Sequence, residues 1–270
     1  MVAVFYIQLV IGFLLSGLIA FGAYRRRSLS RSGMWGTFIL GGIVFGLAGW
    51  RWGLLLVLFF VSSTLLSHYK EKEKAAVAAE KFAKGHQRDI GQVLANGGVG
   101  AAAAVLAWLF PAWPWFPLYL GAMATVTADT WATELGTLSR QRPRLITNGQ
   151  HVPTGTSGGV SPLGTAVSFG GGLFIGLAAA LFGLGPLLPI ALAAGLGGLA
   201  GSLFDSFLGA TVQQIYKCRV CGKETEKVRH HGELTEPIRG WSWLNNDWVN
   251  GLASLVGGLT TVLLYMLLYF

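Results

Sequence analysis

Long apolar runs, separated by short polar or charged stretches, recur along the whole chain. A helix needs about 17–25 such residues to cross a bilayer. By that measure spans are predicted near 2–23, 34–50, 53–67, 91–110, 116–137, 163–183, 186–209 and 249–269. The runs are continuous rather than alternating apolar and polar, which argues against a β-barrel. The expected fold is therefore all-α, a polytopic membrane bundle of about eight transmembrane helices. Residues 1–270 read as a single transmembrane domain with two larger polar connections, 68–90 and 211–245.

Composition agrees with the pattern. Only 12% of the 270 residues are charged, about half the share in a soluble domain, and the mean hydropathy is +0.55. The net charge of +8 invites a nucleic-acid reading, but 19 of the 20 basic residues fall in alternate connections. Only Arg51 lies on the other side. By the positive-inside rule those connections, including 68–90 and 211–245, face the cytoplasm and both termini lie outside. The charge sets topology, and no nucleic-acid partner is expected. The arginines Arg25, Arg26, Arg27 and Arg31 follow the first run rather than precede it, unlike a removable signal peptide. A bacterial cytoplasmic membrane is the expected location.

Chemistry concentrates in residues 125–165. Asp129 and Glu134 stand in an apolar run, where a carboxylate costs about 2.5–3.5 kcal/mol on insertion scales and marks a functional candidate. They are five residues apart, about 140° around a helix, so they share no stripe unless the helix ends or unwinds there. A basic loop with Arg140, Arg142 and Arg144 follows, then the turn Gly155-Thr156-Ser157-Gly158-Gly159 before the next run. Asp205-Ser206 near the end of the seventh run echoes Asp129-Thr130. Leu244-Asn245-Asn246-Asp247-Trp248-Val249-Asn250 opens the last run with more polar groups than one helix cap needs. Asp129, Glu134, Asp205 and Asp247 all fall toward cytoplasmic ends and could share one pocket. Carboxylates that leave room for water suit Mg²⁺ bridging phosphates, and a glycine turn before a helix suits the anion.

Other positions read more blandly. Residues 69–88 predict an exposed cytoplasmic helix of mixed charge. Asn96 suits either helix–helix glue or a cavity wall. The glycines of the sixth and seventh runs predict close helix packing. Cys218-x-x-Cys221 followed by His230-His231 is compatible with a Cys₂His₂ zinc site, and equally with a hairpin carrying free thiols.

Three segments resemble the signature of one multi-pass membrane family. They are Asp129-Thr130-Trp131-Ala132-Thr133-Glu134-Leu135-Gly136, Pro143-Arg144-Leu145-Ile146-Thr147 and Val152-Pro153-Thr154-Gly155-Thr156-Ser157-Gly158-Gly159-Val160-Ser161. That family includes a plant phytyl-phosphate kinase and an uncharacterised human transmembrane protein. The 244–250 segment is similar to its late Asn/Asp motif, with the Asn and Asp positions exchanged. More distantly, the acids and glycine turn look like those of CTP-using polyprenol and phytol kinases. The resemblance implies transfer of a phosphoryl group from a nucleoside triphosphate to a prenyl monophosphate, giving the diphosphate. It implies Asp129, Glu134, Asp205 and Asp247 as Mg²⁺ ligands and Arg144 as a catalytic cation. Gly155, Thr156, Ser157, Gly158, Gly159, Ser161, Asn246 and Asn250 would bind phosphate or nucleotide. Two other classes remain open: a transporter or flippase for a lipid phosphate or ion, and a CTP-dependent kinase or nucleotidyltransferase acting on another lipid alcohol.

Overall fold

The computed structural model describes residues 2–81 and 87–269; Lys84, one of the basic residues counted above, lies outside them. Among the described residues the helices are α1 (Val2–Arg25), α2 (Arg31–Ile43), α3 (Trp50–His68), α4 (Glu71–Lys81), α5 (Ile90–Leu109), α6 (Trp115–Gly136), α7 (Pro162–Leu181), α8 (Leu187–Thr211) and α9 (Asn246–Tyr269). Each of the eight apolar runs is helical. Among the described residues, six helices (α1, α3, α5, α7, α8 and α9) are long and apolar enough to cross a membrane. The second run is a 13-residue helix continued by a π-helical turn, Val44–Ala48, that ends at Gly49 with φ +88°. The fifth run, α6, carries the acids and forms the centre of the bundle.

Local chemistry sets the helix ends. Asp89 and Gln92 form a reciprocal capping box at the start of α5, satisfying orphan N–H groups at both positions. Ser30 caps α2 and Ser161 caps α7, where Pro162 occupies the first turn without loss because its missing N–H would have no partner there.

α6 is buried continuously from Tyr119 to Ala128 against α5, α7, α8 and α9. Tyr119 has no exposed surface, stacks at 4.6 Å on Trp52 and donates to the Trp52 carbonyl at 2.6 Å. Without a hydrophobic drive between helices in lipid, close packing of small residues must hold the bundle. At the α6–α8–α9 junction a Cβ on Gly197 would lie 1.9 Å from Thr261 Oγ1, and one on Gly257 would lie 1.9 Å from Thr125 Oγ1. Those glycines let three backbones meet. Apolar side chains along α1, such as Val10, Leu14, Leu18 and Phe21, point outward, as a lipid-facing surface requires.

The polar connections are more structured than an all-α expectation suggests. Strands β1 (Arg144–Leu145) and β2 (Gly159–Val160) pair antiparallel around the glycine turn. The 211–245 connection holds β3 (Ile215–Lys217), β4 (Glu224–Thr225), β5 (Arg229–His230), β6 (Glu233–Leu234) and β7 (Glu236–Arg239). β3 lies between β4 and β7, and β5 pairs with β6.

Residues 82–86 of the expected 69–88 helix lie outside the described residues, and the described part, α4, is not freely exposed. α4 buries Lys74 and Lys81 and is pinned to the β4 segment: Thr225 Oγ1 donates to the Glu80 carbonyl at 2.8 Å, Lys81 Nζ to the Glu224 carbonyl at 3.1 Å, and the Glu226 amide to the Lys81 carbonyl at 3.0 Å. The ion pair Lys223–Glu80 at 2.7 Å closes the contact from outside. Two connections more than 140 residues apart thus form one cap at one end of the bundle.

Candidate active site

Beneath that cap lies a cavity of about 790 Å³. Asp129 and Glu134 from α6, Asp205 from α8, and Asn246, Asp247 and Asn250 from α9 all line it. So does the turn from Gly155 to Gly159 with Ser161. α6 stays helical through Gly136 and ends two residues after Glu134. The cavity wraps that end, so two acids on different helix faces reach the same space.

Asp129 and Asp205 line the same cavity and lie near enough for like-charge repulsion, to which Glu226 adds. Asp129 Oδ1 accepts from the Ser202 hydroxyl at 3.4 Å. Asp205 Oδ2 is buried and, among the described residues, has no hydrogen-bond partner. A buried carboxylate oxygen left in that state is strongly disfavoured unless a cation or proton reaches it.

Glu134 stands differently. Lys74 from α4 ion-pairs with it, and the Ser67 hydroxyl donates to it at 2.7 Å. Lys74 Nζ also donates to the carbonyls of Leu66 (2.7 Å) and Ser67 (3.1 Å) at the end of α3. Both lone-pair regions of Glu134 are therefore engaged by protein, which sets it apart from the Asp129–Asp205 pair.

Arg144 does not line the cavity. Its side chain is exposed, and its Nη1 donates to the Gly149 carbonyl at 3.1 Å, bracing the 144–160 hairpin. The cations that do line the cavity are Lys74, Arg88 and Lys227. Nothing in the pattern of the chain singles these out, since each sits in a mixed-charge connection. Arg88 is held on both sides by backbone: its amide donates to the Ser28 carbonyl and its carbonyl accepts from the Ser30 amide, both at 3.0 Å. Its guanidinium donates to Thr64 Oγ1 at 3.0 Å and lies 5.3 Å from the Phe60 ring. Burial lowers its pKa to about 10, with Glu134 opposing the shift, so it remains charged at neutral pH.

The glycine turn sits where no other residue fits. Gly155 and Gly158 have φ +81° and +84°, and a Cβ on Gly158 would lie 2.4–2.6 Å from Ala210 on α8. Ser157 Oγ donates to Glu226 Oε1 at 3.2 Å, and Gln213 Nε2 donates to the same oxygen at 2.9 Å. Thr156 Oγ1 is buried without a partner among the described residues. Ser161 Oγ accepts from the Gly164 amide at 3.1 Å, as the cap of α7. Asn96 also lines the cavity, which decides between its two readings.

A second cluster lies in the cap. Cys218, Cys221 and His230 place one ligand atom each within 4.8 Å of one another; His231 is not in the group. The amides of Cys221 and Val220 lower the pKa of the Cys218 thiol, and burial lowers that of the His230 imidazole.

The chain is 36% identical to Protein PGR of Arabidopsis thaliana, over 94% of this chain and 95% of that protein. It is 32% identical to an uncharacterised membrane protein of Methanocaldococcus jannaschii, over 96% and 95%. It is 26% identical to the chloroplastic Protein VTE6 of Arabidopsis thaliana, over 87% of this chain and 65% of that protein. No solved structure matches it. The family described as integral membrane protein DUF92 matches residues 14–258, from within α1 to within α9, and this chain belongs to it.

Proposed function

We propose that the chain is an integral membrane isoprenoid-phosphate kinase, moving a phosphoryl group from a nucleoside triphosphate to a prenyl, phytyl-like monophosphate. The observation that carries this reading is the Asp129–Asp205 pair, with its orphaned Asp205 oxygen, in one cavity with the glycine turn and three cations. The motif resemblance to phytyl-phosphate kinase supports it independently.

The donor set fits Mg²⁺. Asp129 and Asp205 offer oxygen donors to the same cavity. Mg²⁺ commonly takes one or two carboxylates and fills its remaining positions with water and substrate phosphate. When bound, it would offset the charge building on the transferring phosphates. Asp129 and Asp205 would hold it, with Asp247 at the cavity wall. An all-oxygen donor set favours Mg²⁺ over zinc, whose softer ligands lie in the cap.

The chain's own residues then position two polyanions. Arg88 and Lys227 would neutralise phosphate oxygens, while Lys74 stays engaged with Glu134. The turn at 155–159 and Asn246 and Asn250 would orient the nucleotide phosphates. A terminal oxygen of the acceptor monophosphate attacks the γ-phosphorus, the bond to the β-phosphate oxygen breaks, and nucleoside diphosphate leaves. A phosphate monoester has a second pKa near 6, so the nucleophile is already anionic and needs no strong base. Positioning and electrostatics supply the catalysis. The prenyl tail would lie among the glycine-packed helices, in contact with membrane lipid.

Purified protein given labelled nucleoside triphosphate and phytyl monophosphate should form the diphosphate in a Mg²⁺-dependent reaction. Absence of transfer across ATP, CTP, GTP and UTP would refute the kinase. Ion-coupled uptake without nucleotide turnover would favour the transporter.

Residues of the basic connections line the cavity, so in this reading the site faces the cytoplasm and both termini lie outside. A Lys72→Cys variant, at an exposed position, should react with an impermeant maleimide beyond the wild-type background only after the cells are permeabilised. Labelling in intact cells would reverse the orientation.

A further inference from the structure

The cap over the cavity is built from two short hairpins whose tips meet. In the first, β3 leads into Cys218, the Cys218 amide donates to the Lys223 carbonyl, and the Gly222 amide donates back to the Cys218 carbonyl, both at 2.9 Å. Gly222, with φ +69°, lets the chain reverse immediately after Cys221. The Cys218 and Cys221 sulfurs lie within 4.8 Å of one another. Both sulfurs therefore sit on one side of a tight knuckle.

In the second hairpin, β5 and β6 pair Arg229 with Leu234 and His230 with Glu233. The two-residue turn His231-Gly232 has φ +54° and +82°, the left-handed pair that matches strand twist in such loops. This hairpin brings His230 to the knuckle: its Nδ1 lies 3.7 Å from Cys221 Sγ, and its carbonyl lies 3.9 Å from Cys218 Sγ.

The geometry points to a structural zinc ion held by Cys218, Cys221 and His230. In a tetrahedron with Zn–S near 2.3 Å and Zn–N near 2.0 Å, ligand atoms stand roughly 3.5–3.8 Å apart. The observed sulfur–nitrogen separation of 3.7 Å meets that spacing. Among the described residues no other trio of His, Cys, Asp or Glu side chains converges in this way. The fourth position is open to water or to His231, whose ring centroid is 4.2 Å from that of His230.

The ion has a purpose in this fold. The strands it joins have two or three residues each, too short to be stable alone. Between Cys221 and His230 the chain carries Glu226, Lys227 and Val228, which line the cavity. Glu226 is the acceptor that anchors Ser157 of the glycine turn. A zinc ion on the two hairpin tips fixes that stretch and, through it, the turn.

The test uses full-length protein purified in detergent under reducing conditions and without chelators. Metal analysis should find about one zinc per chain. Replacement with Co²⁺ should produce a thiolate-to-cobalt charge-transfer band that saturates at one equivalent and is absent in Cys221→Ser. Zinc removal should accelerate tryptic cleavage at Arg219, Lys223 and Lys227 by roughly tenfold or more, because binding energy here is folding energy. A wild type with no zinc and no cobalt charge-transfer band overturns the proposal. So does a band that persists in Cys221→Ser, or cleavage that ignores chelation. The wild-type titration decides even if the variant misfolds. No readout involves nucleotide or prenyl phosphate, so this proposal and the kinase reading fail separately.

Discussion

Asp205→Asn and Asp129→Asn should each lower nucleotide-dependent phosphorylation of a prenyl phosphate by at least ~100-fold, the scale seen when one preorganised electrostatic group is removed. Neither should weaken the fold. The amide keeps the volume of the carboxylate, and each substitution relieves the repulsion between two acids that line one cavity. The orphaned Asp205 oxygen makes that position the sharper case. An amide there removes an uncompensated charge from the bundle, so thermal unfolding in detergent should occur at an equal or higher temperature. A purely structural acid would give the reverse pattern, with lost stability and retained turnover. Wild-type turnover in both variants would remove the site.

Lys74→Met should act in the opposite sense. Lys74 is 6% exposed and its partner Glu134 18%, so the pair is well shielded. Losing one member of a buried pair leaves the other charge unsolvated and costs about 3–5 kcal/mol. Here the substitution also strips a donor from the Leu66 and Ser67 carbonyls at the end of α3. Glu134→Gln should be destabilising for the same reason, and the double variant Lys74→Met/Glu134→Gln should recover much of the loss. Equilibrium unfolding in mixed micelles measures all three. If Glu134 were instead a metal ligand, Glu134→Gln would abolish turnover at unchanged stability, and no recovery would appear in the double variant.

The two cases show which parts of the site could be read without coordinates. An acid in an apolar run is visible because charge at membrane depth is costly wherever the chain folds. Asp129 and Asp205 were therefore legible one at a time, as were the glycine turn and the Asn/Asp segment. Their convergence was only an inference from each lying near the same end of its span. Glu134 was legible as an anomaly, yet its role depends on Lys74. Nothing distinguishes Lys74 from the other lysines of 69–88 until α4 folds back and buries it. Arg144 stood out by its motif, but its guanidinium braces its own hairpin. Arg88, in a stretch that reads as solvated, is the arginine that reaches the cavity.

The sequence by itself determined the all-α membrane class and the placing of the long apolar helices, the asymmetric distribution of charge and the presence of acids where lipid should be. Those properties follow from local composition and from the fixed thickness of a bilayer. Tertiary structure alone decided which polar groups pair. Ion pairs and hydrogen bonds depend on ångström-scale distances between segments remote in sequence, and α4 and β4 are more than 140 residues apart. It also turned two loops into one cap, because their short strands and single helix gain stability only by docking on each other. The Cys/His loop spans both levels: its spacing hinted at a metal, but only the meeting of two hairpin tips brings His230, rather than His231, beside the two sulfurs.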